Sequence, residues 1–162
     1  MTLQETNPGY LTGDVFKTVI DNTPLVSVDL IVKHKGKVLL GKRINKPAQG
    51  YWFTQGGRVL KNESIQSAIQ RIGKQELDII IDNSPKFIGV FEHLYDDSIF
   101  DAVTTHYVNL AYEIEVSGLE DLPKDQHNDY RWFNLEELIQ SDEVHKYVKD
   151  YFSMQKGTIP QQ

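Results

Sequence analysis

Three groups of residues in this 162-residue chain have side chains suited to handling a phosphorylated substrate. The first is Glu76. It follows Ile65, Ala68, Ile69 and Ile72, whose spacing is that of one buried helix face. At roughly 100° per residue, Glu76 falls in the middle of that apolar face. A carboxylate there is costly unless it is paired, protonated or bound to a metal ion. The plain alternative ends the helix at Gly73 and leaves Glu76 exposed. The second group is Arg43 and Arg58, which flank the QGYWF segment and suit a clamp on a small phosphorylated ligand. The third is the loop DQHNDYRW, residues 125–132. It reads either as polar surface or as a site for His127, whose ordinary pKa of about 6.5 suits taking a proton from water.

These groups need a framework of strands and helices. Asp14 to Asn22 reads as a short amphipathic helix with Val15, Phe16, Val19 and Ile20 on one side, ended by Pro24. Leu25 to Lys33 and Val38 to Lys42 read as the strands of a hairpin around KHKGK. Asp29 interrupts the first, V-S-V-D-L-I-V, and strand alternation sends it to solvent on the polar face. Ile44 to Phe53 reads as a loop, and Gly56-Gly57 as a turn ahead of a helix capped by Asn62 or Ser64. Lys86 to His93, Thr104 to Val116 and Tyr130 to Phe133 read as further strands. Tyr95 to Val103 and Ser117 to Asp129 read as polar loops. Asn134 caps a helix over LEELI, and a last helix covers Asp142 to Met154 with Val144, Tyr147, Val148 and Tyr151 inward. The order predicts a mixed sheet between helices rather than a doubly wound parallel sheet.

Composition is that of an ordinary soluble domain, with 40% apolar and 25% charged residues. A single domain over residues 1–162, with its core at about 23–154, is expected. The chain has no cysteine, which excludes disulfide and thiolate chemistry and fits a reducing cytoplasm. No basic start leads into an apolar run, and no run approaches the roughly 20 residues of a membrane span. A net charge of −6 argues against general nucleic-acid binding. The charge is uneven, however: eight of the 17 Lys and Arg lie between Leu30 and Asn62, where there is no acidic residue. The lysines around Gly36 read as solvated strand edges.

Gly57, Glu63 after five intervening residues, Arg71 after seven more, and Glu76 ahead of Ile79 resemble the Nudix box. That signature belongs to hydrolases of nucleoside diphosphates linked to another moiety. The pattern is incomplete, since Ile72 and Gln75 replace two glutamates and Asp78 replaces a glycine. PLVSVDLIV, LLGKR, NKPAQGYWF, GGRV, GVFEHLYDD, TTHYV and DQHNDYRW widen the likeness over residues 23–142. Together they resemble the GDP-mannose mannosyl hydrolase branch of the superfamily, which itself lacks those two glutamates. Gln55 also departs from the proline that many Nudix proteins place before the glycines.

The resemblance implies an α/β (α+β) Nudix fold, a mixed sheet sandwiched between helices. It implies one Mg²⁺ per subunit, with Mn²⁺ able to substitute, held by Glu76, Gln126 and the carbonyl of Gly56. It implies His127 as general base, and Arg43, Arg58 and Tyr107 on the pyrophosphate. Asp29 would contact the sugar, and Arg71 and Glu63 would form the internal ion pair of the box, with Arg71 also assisting the leaving group. His93 would lie near the substrate without an assigned role. The substrate would be GDP-mannose or a related GDP-hexose, hydrolysed to GDP and free sugar with inversion, by a cytoplasmic homodimer that binds neither nucleic acid nor membrane. Two rivals stand beside it: a conventional pyrophosphatase cleaving a P–O bond, and a non-catalytic nucleotide-sugar sensor.

Overall fold

The strand that carries Asp29 is the centre of the sheet. In the computed structural model, which describes residues 10–82, 84–119 and 127–153 and only the backbone of 127 and 128, β1 (Leu25–His34) is buried at seven of its ten positions. It pairs antiparallel with β2 (Lys37–Arg43) and with β4 (Gln55–Arg58), and parallel with β6 (Thr105–Glu115). The other strands are β3 (Trp52–Phe53) and β7 (His127–Phe133), both on β2, and β5 (Lys86–Tyr95) on β6. A central strand covered on both faces has no polar face. Asp29 is therefore 6% exposed, and the expected solvent-facing carboxylate is corrected to a buried one.

Among the described residues there are four helices, α1 (Gly13–Asn22), α2 (Ile65–Leu77), α3 (Leu135–Gln140) and α4 (Lys146–Ser153). Val28, Leu30 and Val32 face one way, onto Ala68, Ile69 and Ile72 of α2. Ile31, Val38 and Leu40 face the other, onto Leu138 of α3 and Val148 and Tyr151 of α4. The two-residue period of the strands thus feeds two cores, one on each side of a mixed sheet. Among the described residues no helix is long and apolar enough to cross a membrane.

Local chemistry explains most helix ends. The Oγ of Ser64 accepts from the N–H of Ser67, and the Oδ1 of Asn134 accepts from the N–H of Glu137. Helix α2 continues past Gly73 to Leu77 and closes on Asp78, which has φ +54° and donates its N–H to Gly73 and Lys74 carbonyls. Aspartate is among the few residues that enter this left-handed region at modest cost, so it can stand where the box has glycine.

Several sequence expectations need correction. Gly56-Gly57 is extended strand rather than a turn, and Trp52-Phe53 is a strand inside the expected loop. Both segments are too short for periodicity to reveal; pairing to β1 and β2 makes them strands. Val15 is 49% exposed, so α1 buries Ile20 with Phe16 and Val19 against it. The last helix starts at Lys146, because Val144 bridges to Trp52 in extended form.

Candidate active site

Alternation along the central strands gathers one set of polar side chains on the α4 side of the sheet. Ser27 and Asp29 of β1 lie beside Asn109 and Ala111 of β6, with Tyr107 opposite Leu25. Tyr107 in turn faces His93 of β5, and Arg58 of β4 faces Ser27. Arg43 reaches the same place from the end of β2, where the register with β7 shifts. Ser27, Asp29, Arg43, Arg58, His93, Tyr107 and Asn109, with Thr54 and Tyr95, line one cleft.

Asp29 forms the floor of this cleft. Its Oδ2 accepts from Thr54 Oγ1 at 2.8 Å and from the hydroxyl of Tyr151 at 2.5 Å. Asn109 Nδ2 donates to Ser27 Oγ at 2.8 Å, and Tyr151 also stands 3.1 Å from Asn109 Oδ1. Burial pushes the Asp29 carboxyl above the usual range, opposed by its bonds to Tyr151 and Thr54 and by the charge of Arg43. Gly56 is required here: a Cβ would sit 2.2 Å from Asp29 Oδ1 and 2.7 Å from the Val28 carbonyl. The second box glycine, Gly57, faces Ile72 instead.

The cleft walls carry positive charge. Arg43 uses Nε on the Pro47 carbonyl at 2.8 Å, and Arg58 lies over the ring of Phe16 at 5.1 Å. Among the described residues neither guanidinium forms an ion pair with a carboxylate, unlike Arg71 and Arg131. Burial lowers the Arg58 pKa, an arginine that a second anion would steady. Tyr107 is held above its ordinary value by burial, while Arg43 and Arg58 pull it down. Two unneutralised guanidiniums and a phenol on one wall make a site for a multivalent anion such as a diphosphate.

His93 is 3% exposed and stacks on Tyr147 with ring centroids 4.4 Å apart and planes 6° apart. Burial, with His145 nearby, drives its pKa to about 3, so the imidazole is neutral at physiological pH. It therefore offers hydrogen bonds and a flat surface to a ligand, and no charge.

On the α2 side a second cleft adjoins the first at Gly56, Gly57 and Arg58 and includes Glu76. Glu76 is 7% exposed, on the apolar face that its spacing indicated. Glu76 and Gly56 line this cleft together, and a carboxylate and a backbone carbonyl are oxygen donors of the kind a hard divalent cation takes. Among the described residues no three acidic or imidazole side chains come together as a metal cage. The reason is visible at the two altered box positions. Ile72 is 1% exposed in the core, and Gln75 gives its Oε1 to Arg71 at 3.0 Å.

Arg71 organises the box. Its Nε and Nη2 grip both oxygens of Glu63, at 2.7 and 3.0 Å. Nη2 also reaches the Arg58 carbonyl at 2.7 Å, and Nη1 reaches Gln75 and the hydroxyl of Tyr10. These contacts use all five guanidinium N–H groups. In this arrangement Arg71 ties α2 to β4. The same bonds hold the Glu63 carboxyl below its usual range.

Of the residues singled out from the sequence, Asp29, Arg43, Arg58, His93 and Tyr107 share the first cleft, and Gly56 and Glu76 share the second. The backbone of His127 pairs with Arg43 at the start of β7, three residues before the expected strand. Gln126 lies outside the described residues. The sequence reading missed Thr54, Tyr95, Asn109 and Tyr151. One signal was available: Ser27 and Asp29, two apart, put two polar groups on one face of a buried strand.

The chain matches the NUDIX domain profile over residues 23–153. It is 37% identical over 140 residues to "Low-salt glycan biosynthesis protein Agl8" of Haloferax volcanii, covering 85% of this chain and 86% of that protein. It is 30% identical over 138 residues to an "ADP-ribose pyrophosphatase" of Methanocaldococcus jannaschii, covering 83% and 76%. A MutT NUDIX hydrolase from Burkholderia pseudomallei superposes with a TM-score of 0.67 at 25% identity, over 82% of this chain and 98% of the other.

Proposed function

Because this chain belongs to the Nudix family of hydrolases, we propose that it hydrolyses a nucleoside diphosphate sugar, GDP-mannose or a close GDP-hexose, at the bond between sugar and diphosphate. One observation carries the reading: a buried acid, Asp29, and a neutral imidazole, His93, line the same cleft as Arg43 and Arg58. An anion-binding wall beside a hydrogen-bonding floor suits a diphosphate joined to a sugar.

In this mechanism Arg43, Arg58 and Tyr107 bind the diphosphate and neutralise the charge that grows as it leaves. Asp29 accepts from a sugar hydroxyl. His127 takes a proton from water while the water oxygen bonds to the anomeric carbon. The anomeric C–O bond breaks, its electron pair stays on GDP, and attack from one face inverts the centre to give the β sugar. Glu76 and the Gly56 carbonyl, with Gln126, would hold Mg²⁺, whose charge would further favour the departing diphosphate. Attack on carbon does not bring water against a shielded, negatively charged phosphorus, and this is consistent with a box that has surrendered Ile72 and Gln75 to packing and to Arg71.

The second reading is P–O cleavage giving a nucleoside monophosphate and a sugar phosphate. It is favoured by the name of the relative from M. jannaschii. Incubation with GDP-mannose and Mg²⁺ in ¹⁸O-water separates the two. Label in free mannose, with GDP as co-product, is expected; label in GMP or in mannose 1-phosphate would overturn the proposal. His127→Gln should lower kcat by about 10²–10⁴ with KM little changed.

A further inference from the structure

Helix α4 contributes two tyrosines one turn apart, and both meet residues that line the cleft, Tyr147 at His93 and Tyr151 at Asp29. Tyr147 accepts from the Leu94 N–H at 2.9 Å and donates to the Leu94 carbonyl at 2.7 Å, while its ring stacks on His93. The helix is thereby stapled to β5 beside His93. Tyr151, 4% exposed, packs edge-on against Phe91 with centroids 4.8 Å apart. Its hydroxyl meets Asp29 Oδ2 at 2.5 Å, Asn109 Oδ1 at 3.1 Å and His93 Nε2 at 3.4 Å.

A phenol has one proton to give. The shortest of the three contacts, to a carboxylate, takes it. Thr54 Oγ1 donates to the same oxygen. Both hydroxyls therefore converge on Oδ2, and Oδ1 is turned against Gly56, where the two clefts meet. With the phenol proton spent on Asp29, the phenol oxygen faces His93 Nε2 as an acceptor. That selects the Nε2–H tautomer and leaves Nδ1 as the acceptor of the imidazole.

The last torsion of an aspartate is broad and nearly two-fold when nothing restrains it. A carboxylate free to turn accepts from a hydroxyl in many directions and reads none of them. One pinned on a single oxygen offers the other at a fixed place, and epimeric hexoses differ only in where one hydroxyl points. We propose that Tyr151 is a positioning residue that pins Asp29 through Oδ2 and presents Oδ1 to the sugar, thereby setting which hexose epimer the site accepts. The inference rests on the nucleotide-sugar reading above and deepens it.

Tyr151→Phe removes the hydroxyl and keeps the ring on Phe91. The test compares kcat and KM for GDP-mannose and GDP-glucose, inhibition by GDP, and the thermal midpoint, in wild type and variant. A hydrogen bond to a charged group corresponds to roughly 10–100-fold. The variant should therefore lose at least about tenfold in kcat/KM on the preferred epimer and less on the other, so that their ratio narrows, with GDP inhibition unchanged. Thr54→Val, which removes the other donor to Oδ2, should narrow the ratio in the same direction and supplies the measurement if Tyr151→Phe does not fold. An unchanged ratio in a folded variant overturns the inference, as does an equal loss on both sugars with weakened GDP inhibition, which marks general damage.

Calorimetric binding of GDP-mannose, GDP-glucose and GDP in the presence of chelator separates this failure from failure of the functional reading. A wild type that hydrolyses neither sugar nucleotide, yet binds one of them more tightly than GDP through a margin that Tyr151→Phe removes, defeats the function and keeps the inference. A wild type that binds all three alike defeats both.

Discussion

Acidification should destabilise this protein from within the cleft, through His93. In the folded chain burial holds that imidazole at about 3, whereas an unfolded chain returns it to about 6.5. At about pH 5 the unfolded state carries nearly a full proton at this position and the folded state almost none. Because the unfolded state binds more protons, stability falls as the pH drops. The loss begins just below about 6.5, reaches about 2 kcal/mol at about pH 5, and would level off near 5 kcal/mol only below about 3. Set against a typical domain stability of about 5–15 kcal/mol, the loss at about pH 5 is readily measured. His145, held at about 4 by burial and by Lys146 and Arg43, acts in the same direction.

Urea melts of wild type and His93→Gln at about pH 8 and about pH 5 provide the assay. The acid penalty in the variant should be smaller by about 2 kcal/mol. Nitrogen-15 imidazole spectra should show His93 neutral until the protein unfolds. A His93 resonance that titrates near 6.5 in the folded protein, or an acid penalty identical in the variant, would refute the reasoning.

Three further outcomes are expected. Gly56→Ala brings the new Cβ against both Asp29 Oδ1 and the Val28 carbonyl, at 2.2 and 2.7 Å, so kcat/KM should fall by about 10²-fold. Gly57→Ala, whose Cβ would meet Ile72 Cγ1 at 3.2 Å and Cδ1 at 3.4 Å, should cost about 1 kcal/mol in a urea melt and little activity. Glu76→Gln should weaken Mn²⁺ binding, followed by water-proton relaxation, more than it weakens folding, because the fold already accommodates this side chain at 7% exposure. Full turnover after exhaustive chelation would contradict the metal site.

The sequence by itself determined the features that depend on near neighbours. Helical spacing placed Glu76 on the buried face of α2, and the resemblance that rests on Gly57, Glu63 and Arg71 implied the Arg71–Glu63 ion pair. Asn134 announced its helix start, and Asn62 and Ser64 bracketed the other, which falls at Ser64, because a cap acts within three residues. What only the tertiary structure decided depends on partners far apart in the chain. Asp29 lies in a strand whose alternation reads as half-exposed; burial comes from β6 and α4, more than 75 residues away. Trp52-Phe53 and Gln55–Arg58 are strands only because β2 and β1 supply their hydrogen bonds. Tyr151 reads as one more inward residue of an amphipathic helix. That its hydroxyl ends on a carboxylate 122 residues earlier in the chain is fixed by the packing of α4 across the sheet, because a side chain's periodicity gives the face it occupies and not the group it meets there.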